Sequence, residues 1–144
     1  MKPRHFIANL DRQRIEAAIA GAERKTSGEI RVLIHKQPVE DAVAFAQKEF
    51  LRLGMQKTRA RNAVLLFVAP ASQAFAIIGD EGVHAKCGAP FWTEVASAMQ
   101  KNFRADDHTA ALLEGIGRAG ALLAQHFPAS PGDAHELQNQ VIEQ

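Results

Sequence analysis

The chain has 144 residues, of which 47% are hydrophobic and 23% are charged, a composition typical of one globular domain. The formal net charge of +1 excludes a protein built mainly to coat nucleic acid or an anionic membrane. The charge is unevenly spread, because residues 1–72 carry 13 basic and 7 acidic side chains and residues 73–144 carry 4 and 9. We expect the basic and acidic halves to pair with each other.

Three sequence features bear on the cellular compartment of the protein. The single cysteine, Cys87, allows no internal disulfide, which fits a reducing compartment. Residues 1–7 have a basic start but no apolar run behind it, so no secretory signal is predicted. The longest apolar run, residues 63–70, is too short to cross a bilayer. We therefore expect a cytoplasmic protein with no membrane segment.

The first predicted elements are a helix and a strand. Asn9 is placed to cap a helix in which the apolar residues of 15–22 recur at helical spacing. From Glu29 onward, apolar and polar side chains alternate, with Leu33 as the exception, and Pro38 ends this pattern. The pattern predicts an amphipathic strand.

A second helix and two more strands follow. Helical spacing predicts a helix after Asp41 that ends at Gly54. The fully apolar run 63–69 predicts a central strand covered on both faces, which completes a parallel βαβ unit. After a short turn, residues 74–78 return as an antiparallel strand.

Two further helices are predicted, one from Gly88-Ala89-Pro90 and one capped by Asp106 that runs to about Gln125. The last helix contains three glycines, each of which costs about 1 kcal/mol relative to alanine, so we expect close packing there. The predicted class is α/β: a small mixed sheet flanked by about four helices. Residues 1–127 form the domain, and 128–144 form a tail that docks weakly or stays mobile.

The predicted topology gathers polar residues at one rim of the sheet. The returning strand ends beside the start of the central strand, and the parallel first strand begins at the same edge. The rim residues are Glu29, Arg61, Asn62, Asp80 and Glu81. Carboxylate and amide oxygens suit Ca²⁺ or Mg²⁺, and glycines flank Asp80-Glu81. The alternative is turn chemistry with a Glu29–Arg61 surface pair.

Other groups are open to two interpretations. Asp106 and Asp107 are metal donors or helix caps, and a cap can also ligate. The basic loop 57–61 suits a phosphate, but it lacks the interleaved aromatic residues of a nucleic-acid surface. His84 and Cys87 have no second pair with which to complete a zinc site. The common hydrolase and nucleotide-binding motifs are missing from the sequence.

The sequence resembles the TPM domain family, named after a thylakoid lumen protein, a photosystem II repair protein and a receptor modulator. It is most similar to the small stand-alone bacterial members. The resemblance is carried by ERKTSGEI at 23–30, LGMQKTRARNAVL at 53–65, FAIIGDEG at 75–82, FW at 91–92, LEGI at 113–116 and HEL at 135–137. These stretches extend over nearly the whole chain.

The resemblance implies a three-layer α/β/α sandwich with an acidic cleft. Members of the family are described as binding Ca²⁺ in this cleft, and plant members as having acid phosphatase activity. Where the family has Asp-Asn-Gly before the central strand, this sequence has Arg61-Asn62-Ala63. A cation at this position repels a divalent ion or attracts a phosphate.

Two functions are compatible with these residues. In the first, the rim holds Ca²⁺, or Mg²⁺ instead, with two pairs of carboxylates as its metal ligands, and the domain is a binding module that contacts an unknown protein partner. The ligand pairs are Asp80 with Glu81 and Asp106 with Asp107. In the second, the ion activates water against a phosphomonoester held by Lys57 and Arg61, giving a weak acid phosphatase. The binding module is preferred, because no nucleophile or general base stands in a recognisable arrangement.

Overall fold

The computed structural model describes residues 10–129 and 141–144. Its helices and strands are α1 (Arg12–Glu23), β1 (Glu29–Ile34), α2 (Ala42–Arg52), β2 (Ala63–Ala69), β3 (Ala74–Gly79), α3 (Glu81–Cys87), α4 (Ala89–Arg104), α5 (His108–His126) and β4 (Val141–Glu143). Short 3-10 turns lie at Met55–Lys57 and Pro70–Ser72. The four strands form one mixed sheet in the order β3-β2-β1-β4.

The sheet has the predicted βαβ topology. β1 is parallel to β2, with Glu29 opposite Ala63, and β3 is antiparallel to β2, with Gly79 opposite Val64. All seven residues of β2 are buried, as expected for a central strand with helices on both faces. The start of β1, the start of β2 and the end of β3 therefore meet at one rim, as the sequence predicts.

Each face of the sheet packs against helices through its own hydrophobic core. On one face, Ile30, Val32 and Ile34 pack with residues of α1, α3, α4 and α5. On the other face, Leu33 and Phe67 pack with α2 and Met55. The alternation along β1 produces this division, because successive side chains of a strand point to opposite faces. The predicted α/β sandwich with a small mixed sheet is confirmed.

Three element starts differ from the sequence predictions. The cap of α1 is Asp11, whose side chain accepts from the N–H of Arg14 at 3.1 Å, whereas the predicted cap, Asn9, lies outside the described residues. The cap of α5 is Asp107, and not Asp106, because Asp106 takes a left-handed φ of 60° as the turn residue after α4. The seven-residue α3, which Asp80 caps, is absent from the prediction.

The short strand β4 lies in the segment that the sequence assigns to a tail. It pairs in parallel with β1, with Val141 opposite Val32, and Arg12 Nη2 donates to the Val141 carbonyl at 3.1 Å. Three residues are too few to show a strand periodicity in the sequence. Residues 130–140 lie outside the described residues, and the domain boundary at residue 127 stays a prediction.

Candidate functional site

The predicted rim forms where α3 is tied to the residues before β2. The Asp80 N–H donates to the Ala63 carbonyl at 3.0 Å, and the Gly82 N–H donates to the Arg61 carbonyl at 2.9 Å. A Cβ at Gly82 would lie 2.5 Å from the carbonyl oxygens of both Ala60 and Arg61. The close approach therefore requires glycine at this position.

Arg61 holds the centre of the rim. Its Nε donates to Asp80 Oδ2 at 2.6 Å, and its Nη2 donates to Asp80 Oδ1 at 2.8 Å. Its Nη1 reaches Glu81 Oε1 at 3.2 Å. The hydrogen bonds to Asp80, together with the charges of both carboxylates, raise the pKa of Arg61 above its ordinary value. These are the partners of Arg61, where the sequence suggested Glu29.

Both oxygens of the Asp80 carboxylate are engaged. Oδ2 accepts from Arg61, while Oδ1 accepts from Arg61 and from the N–H of Glu81 at 2.8 Å. The hydrogen bond from the Glu81 N–H caps α3, and Asp80 is only 6% exposed. Because the Arg61 guanidinium engages both Asp80 oxygens, a divalent ion that ligates Asp80 has to displace it.

The other two rim residues have structural roles. Asn62 is buried, and its Nδ2 donates to Ser27 Oγ at 3.2 Å across the starts of β1 and β2. Its backbone N–H donates to Thr58 Oγ1 at 3.3 Å. Glu29 is 1% exposed, and its charge acts on the guanidinium of Arg31. The backbone N–H of Glu29 donates to the Asn62 carbonyl at 3.4 Å and joins the two strand starts, and neither residue presents an exposed oxygen to an ion.

Lys57, the second predicted phosphate ligand, is exposed in the 3-10 turn that follows α2. Its aliphatic stem lies beside Gly54, where an added Cβ would be 3.7 Å from Lys57 Cδ. Arg61 is turned instead toward Asp80 and Glu81. No contact of the described residues brings the two cations together around one phosphate position.

The other predicted carboxylates lie at the opposite end of the sheet. Asp106 shares a cavity with Ala74 and Phe75 at the start of β3, whereas Asp80 follows the end of β3, about 20 Å away. Asp107 Oδ1 accepts from the N–H of Ala110 at 3.1 Å and caps α5.

The predicted ligands therefore do not form one site. Asp106 Oδ1 lies 2.9 Å from His108 Nε2, and its side chain is 81% exposed. Across residues 10–129 and 141–144, no group of three or more His, Cys, Asp or Glu side chains is arranged to hold a metal ion. Ion binding by either carboxylate pair stays a prediction.

The cavity at the start of β3 is a feature that the sequence analysis did not find. Its volume is about 470 Å³, and its apolar wall is formed by Phe75 and Phe103, whose ring centroids are 5.2 Å apart. Two of its lining residues, Gln73 and Asp106, have left-handed φ values of 49° and 60°. Such backbone strain often accompanies functional sites. A single sequence carries no signal for it, because neither residue is a glycine.

The mixed sheet with helices on both faces places the chain among α/β sandwich proteins. The TPM domain profile matches residues 1–122, and the chain belongs to the TPM domain family. No helix of the described residues is long and apolar enough to cross a membrane.

The solved structures that are similar to this chain include the following two. The NMR structure of the BA42 protein from the psychrophilic bacterium Bizionia argentinensis has a TM-score of 0.87 and 35% identity, and the alignment covers 92% of each chain. The N-terminal domain of a protein from P. gingivalis has a TM-score of 0.65 and 16% identity, over 85% of this chain and 84% of that one, and shows the fold alone. A search of curated proteins finds no match.

Proposed function

We propose that this TPM domain is a binding module that acts through contacts with other proteins, and that calcium binds it only in competition with Arg61. The observation that carries the proposal is the two-pronged pairing of Arg61 with Asp80. The 92% coverage of both chains in the alignment with BA42 supports its place among the small bacterial members.

The pairing favours a binding module over a phosphatase. A phosphate clamp needs a guanidinium whose donors are free to meet phosphate oxygens. Arg61 already directs three nitrogens at Asp80 and Glu81. A substrate phosphate would have to displace these carboxylates and would meet their negative charge at close range.

The same pairing sets the expected calcium affinity. An ion that uses Asp80 must first separate a bidentate ion pair and also leave the α3 cap weakened. Glu81, which is 74% exposed, is the one carboxylate of this pair with room for an ion, and one exposed carboxylate binds Ca²⁺ weakly. We therefore expect the wild-type rim to respond only at millimolar calcium.

The test is a calcium titration followed by backbone amide chemical shifts, with Mg²⁺ as the comparison ion. Arg61→Asn removes the competing cation, and asparagine tolerates the left-handed φ of 53° at this position. We expect the variant to bind Ca²⁺ at least tenfold more tightly, with shifts at residues 79–82. Adding Asp80→Asn should abolish this gain.

Arg14→Gln is the matched control, because it removes the same charge from an exposed position on α1. It should leave the calcium response unchanged. Tight binding by the wild type with shifts at 79–82, or equal affinity of wild type and Arg61→Asn, would overturn the competition. Separate shifts at residues 104–108 would assign ion binding to Asp106 and Asp107.

A further inference from the structure

β3 lies at the edge of the sheet, and its register shows which backbone groups face outward. The Asp80 N–H bonds to the Ala63 carbonyl, so alternate residues back along β3 also bond to β2. Phe75, Ile77 and Gly79 therefore direct their N–H and C=O groups away from the sheet. Within the described ranges, no backbone group pairs with this outer row.

Among the described residues, β3 itself carries none of the sequence features that usually protect an edge strand against pairing. Natural edge strands carry charges, prolines or bulges that prevent a further strand from adding. Residues 74–79 read AFAIIG, with no charge and no proline, and they pair with β2 in an unbroken register of six residues. An unprotected edge of this length either aggregates or has a partner.

The two helices beside β3 give this edge apolar walls. On α2, Phe45 packs toward β1 against His35, at 4.4 Å between ring centroids. Val43 and Leu51 lie on α2 away from the flank that carries Phe45, and they are 51% and 58% exposed. On the other face of the sheet, the α4 residue Trp92 lies against Gly79.

The cavity at the start of β3 adds a cation and polar donors to this edge. Arg104 and Gln100 line it beside the Phe75–Phe103 wall. No carboxylate of residues 10–129 and 141–144 forms an ion pair with Arg104. Asp106 also lines the cavity, but its Oδ1 is directed at His108. An antiparallel strand added to β3 would run toward this end.

We propose that the β3 edge binds an extended, apolar C-terminal segment of a partner protein as a fifth strand, with its terminal carboxylate at Arg104. This inference rests on the proposed function, because it names the surface through which the binding module acts. Backbone hydrogen bonds to the outer row of β3 give affinity. The aromatic cavity takes the last side chain, and the guanidinium selects a free carboxylate.

The probe is an acetylated heptapeptide of alternating threonine and valine that ends in phenylalanine with a free carboxylate. Binding is measured by amide shifts and hydrogen exchange on the full chain. We expect shifts and slowed exchange at Phe75, Ile77 and Gly79. Amidation of the peptide terminus and Arg104→Gln should each weaken binding about tenfold, whereas Arg118→Gln, at an exposed site on α5, should not.

A second peptide is N-methylated at the alternate residues whose N–H groups would face β3, and it tests the strand addition without altering the protein. This peptide should not bind. Shifts confined to other surfaces, or equal affinity of the free-acid and amidated peptides, would overturn the inference. Concentration-dependent dimerisation that protects β3 without peptide would also overturn it and assign the edge to a second copy. Peptide binding at another surface would overturn the assignment to the β3 edge but not the proposed function, whose calcium competition is tested separately by the titration.

Discussion

Arg61 is a residue whose role depends on its backbone as much as on its charge. Its left-handed φ of 53° turns the chain before β2, and its carbonyl meets the N–H of Gly82. From this turn the side chain reaches two carboxylates at the start of α3. A single arginine is thus paired with Asp80 at the place where the family resemblance led us to expect a divalent cation.

Asp80→Asn tests how much this pair contributes to stability. The amide loses the charge that holds Arg61 and weakens the cap of α3, and we expect the free energy of unfolding to fall by about 2 kcal/mol. Urea unfolding measures the change. Glu81→Gln is the matched control, because Glu81 is 74% exposed, and it should cost less than about 0.5 kcal/mol. Equal losses in the two variants would contradict this assignment.

Cys87 makes a prediction about alkaline pH. Burial raises the pKa of its thiol, because the thiolate is poorly solvated in the core between α3 and the sheet. The thiol ionises first in the unfolded chain, at about pH 8.5, so its stabilising contribution is complete below this pH. It is lost as pH rises toward the higher pKa of the folded state.

The measurement compares unfolding free energies of wild type and Cys87→Ala between pH 7 and pH 10. We expect the wild type to lose more stability than the variant over the upper part of this range. The cavity left by the substitution shifts the variant's stability equally at every pH, so only the difference in slope matters. Parallel curves for the two proteins would show that Cys87 does not titrate differently on folding.

At the scale of elements, the glycines of α5 divide into two kinds. A Cβ at Gly120 would lie 2.8 Å from the Cβ of Ala22 on α1, whereas at Gly117 it would meet nothing within 4 Å. We expect Gly120→Ala to destabilise the protein by about 1–3 kcal/mol, because α1 must move away. Gly117→Ala should instead stabilise it by about 0.5–1 kcal/mol through helix propensity.

Thermal and urea unfolding of Gly120→Ala and Gly117→Ala test these two predictions, and each variant is the control for the other. A stabilising Gly120→Ala would mean that α1 and α5 are less closely packed than the 2.8 Å approach indicates. The sequence analysis expected close contacts for all three glycines. Gly115 and Gly120 confirm this through Met99 and Ala22, and Gly117 does not.

The elements that the sequence predicts are those with a long pattern. The seven apolar residues of β2 identify a central strand, and the helical spacing of α2, α4 and α5 is plain in the sequence. α3 has seven residues and β4 has three, so neither shows a full period of its pattern. Because Asp106 takes a left-handed φ, the cap of α5 lies one residue later than predicted. The identity of a non-glycine residue does not reveal such a backbone angle.

The rim was predicted correctly from the topology but the partners of Arg61 were not, and ion binding at the rim stays a prediction. Strand order alone brings Asp80 beside Arg61, since parallel and antiparallel neighbours fix which ends share a rim. The direction of the Arg61 side chain depends on a turn that the sequence does not specify. Asp106 and Asp107 were grouped with the rim on residue type, although α5 begins at the opposite end of the sheet.

At the scale of the whole molecule, the uneven charge of the chain is partly resolved by pairing. Arg61 of the basic half meets Asp80 and Glu81 of the acidic half. Arg12 reaches Glu143 on β4 at 3.5 Å. These pairs lie at the rim and at the β4 edge, and both join residues far apart in sequence. The expected pairing of the two halves is thus visible at two places on the molecule.

The pairing of Arg61 with Asp80 and Glu81 leads to a prediction about catalysis. We expect p-nitrophenyl phosphate to be hydrolysed no faster with the protein than with the same concentration of Ca²⁺ or Mg²⁺ alone. Arg61, the cation best placed to hold a phosphate, is engaged by Asp80 and Glu81, and Lys57 lies beside Gly54 instead of joining it. Cavities at the start of β3 and along α5 are lined by residues of other regions.

Arg61→Asn separates a phosphatase of this domain from a contaminating one. If Arg61 held the substrate, its loss would reduce turnover in proportion to the binding it supplies, about tenfold or more for a charged hydrogen bond. We expect wild type and variant to give the same background rate. The contrary result is a metal-dependent rate that purifies with the protein and falls in the variant. It would show that Arg61 leaves Asp80 to bind phosphate, and a phosphatase would then replace the binding module as the function of the rim.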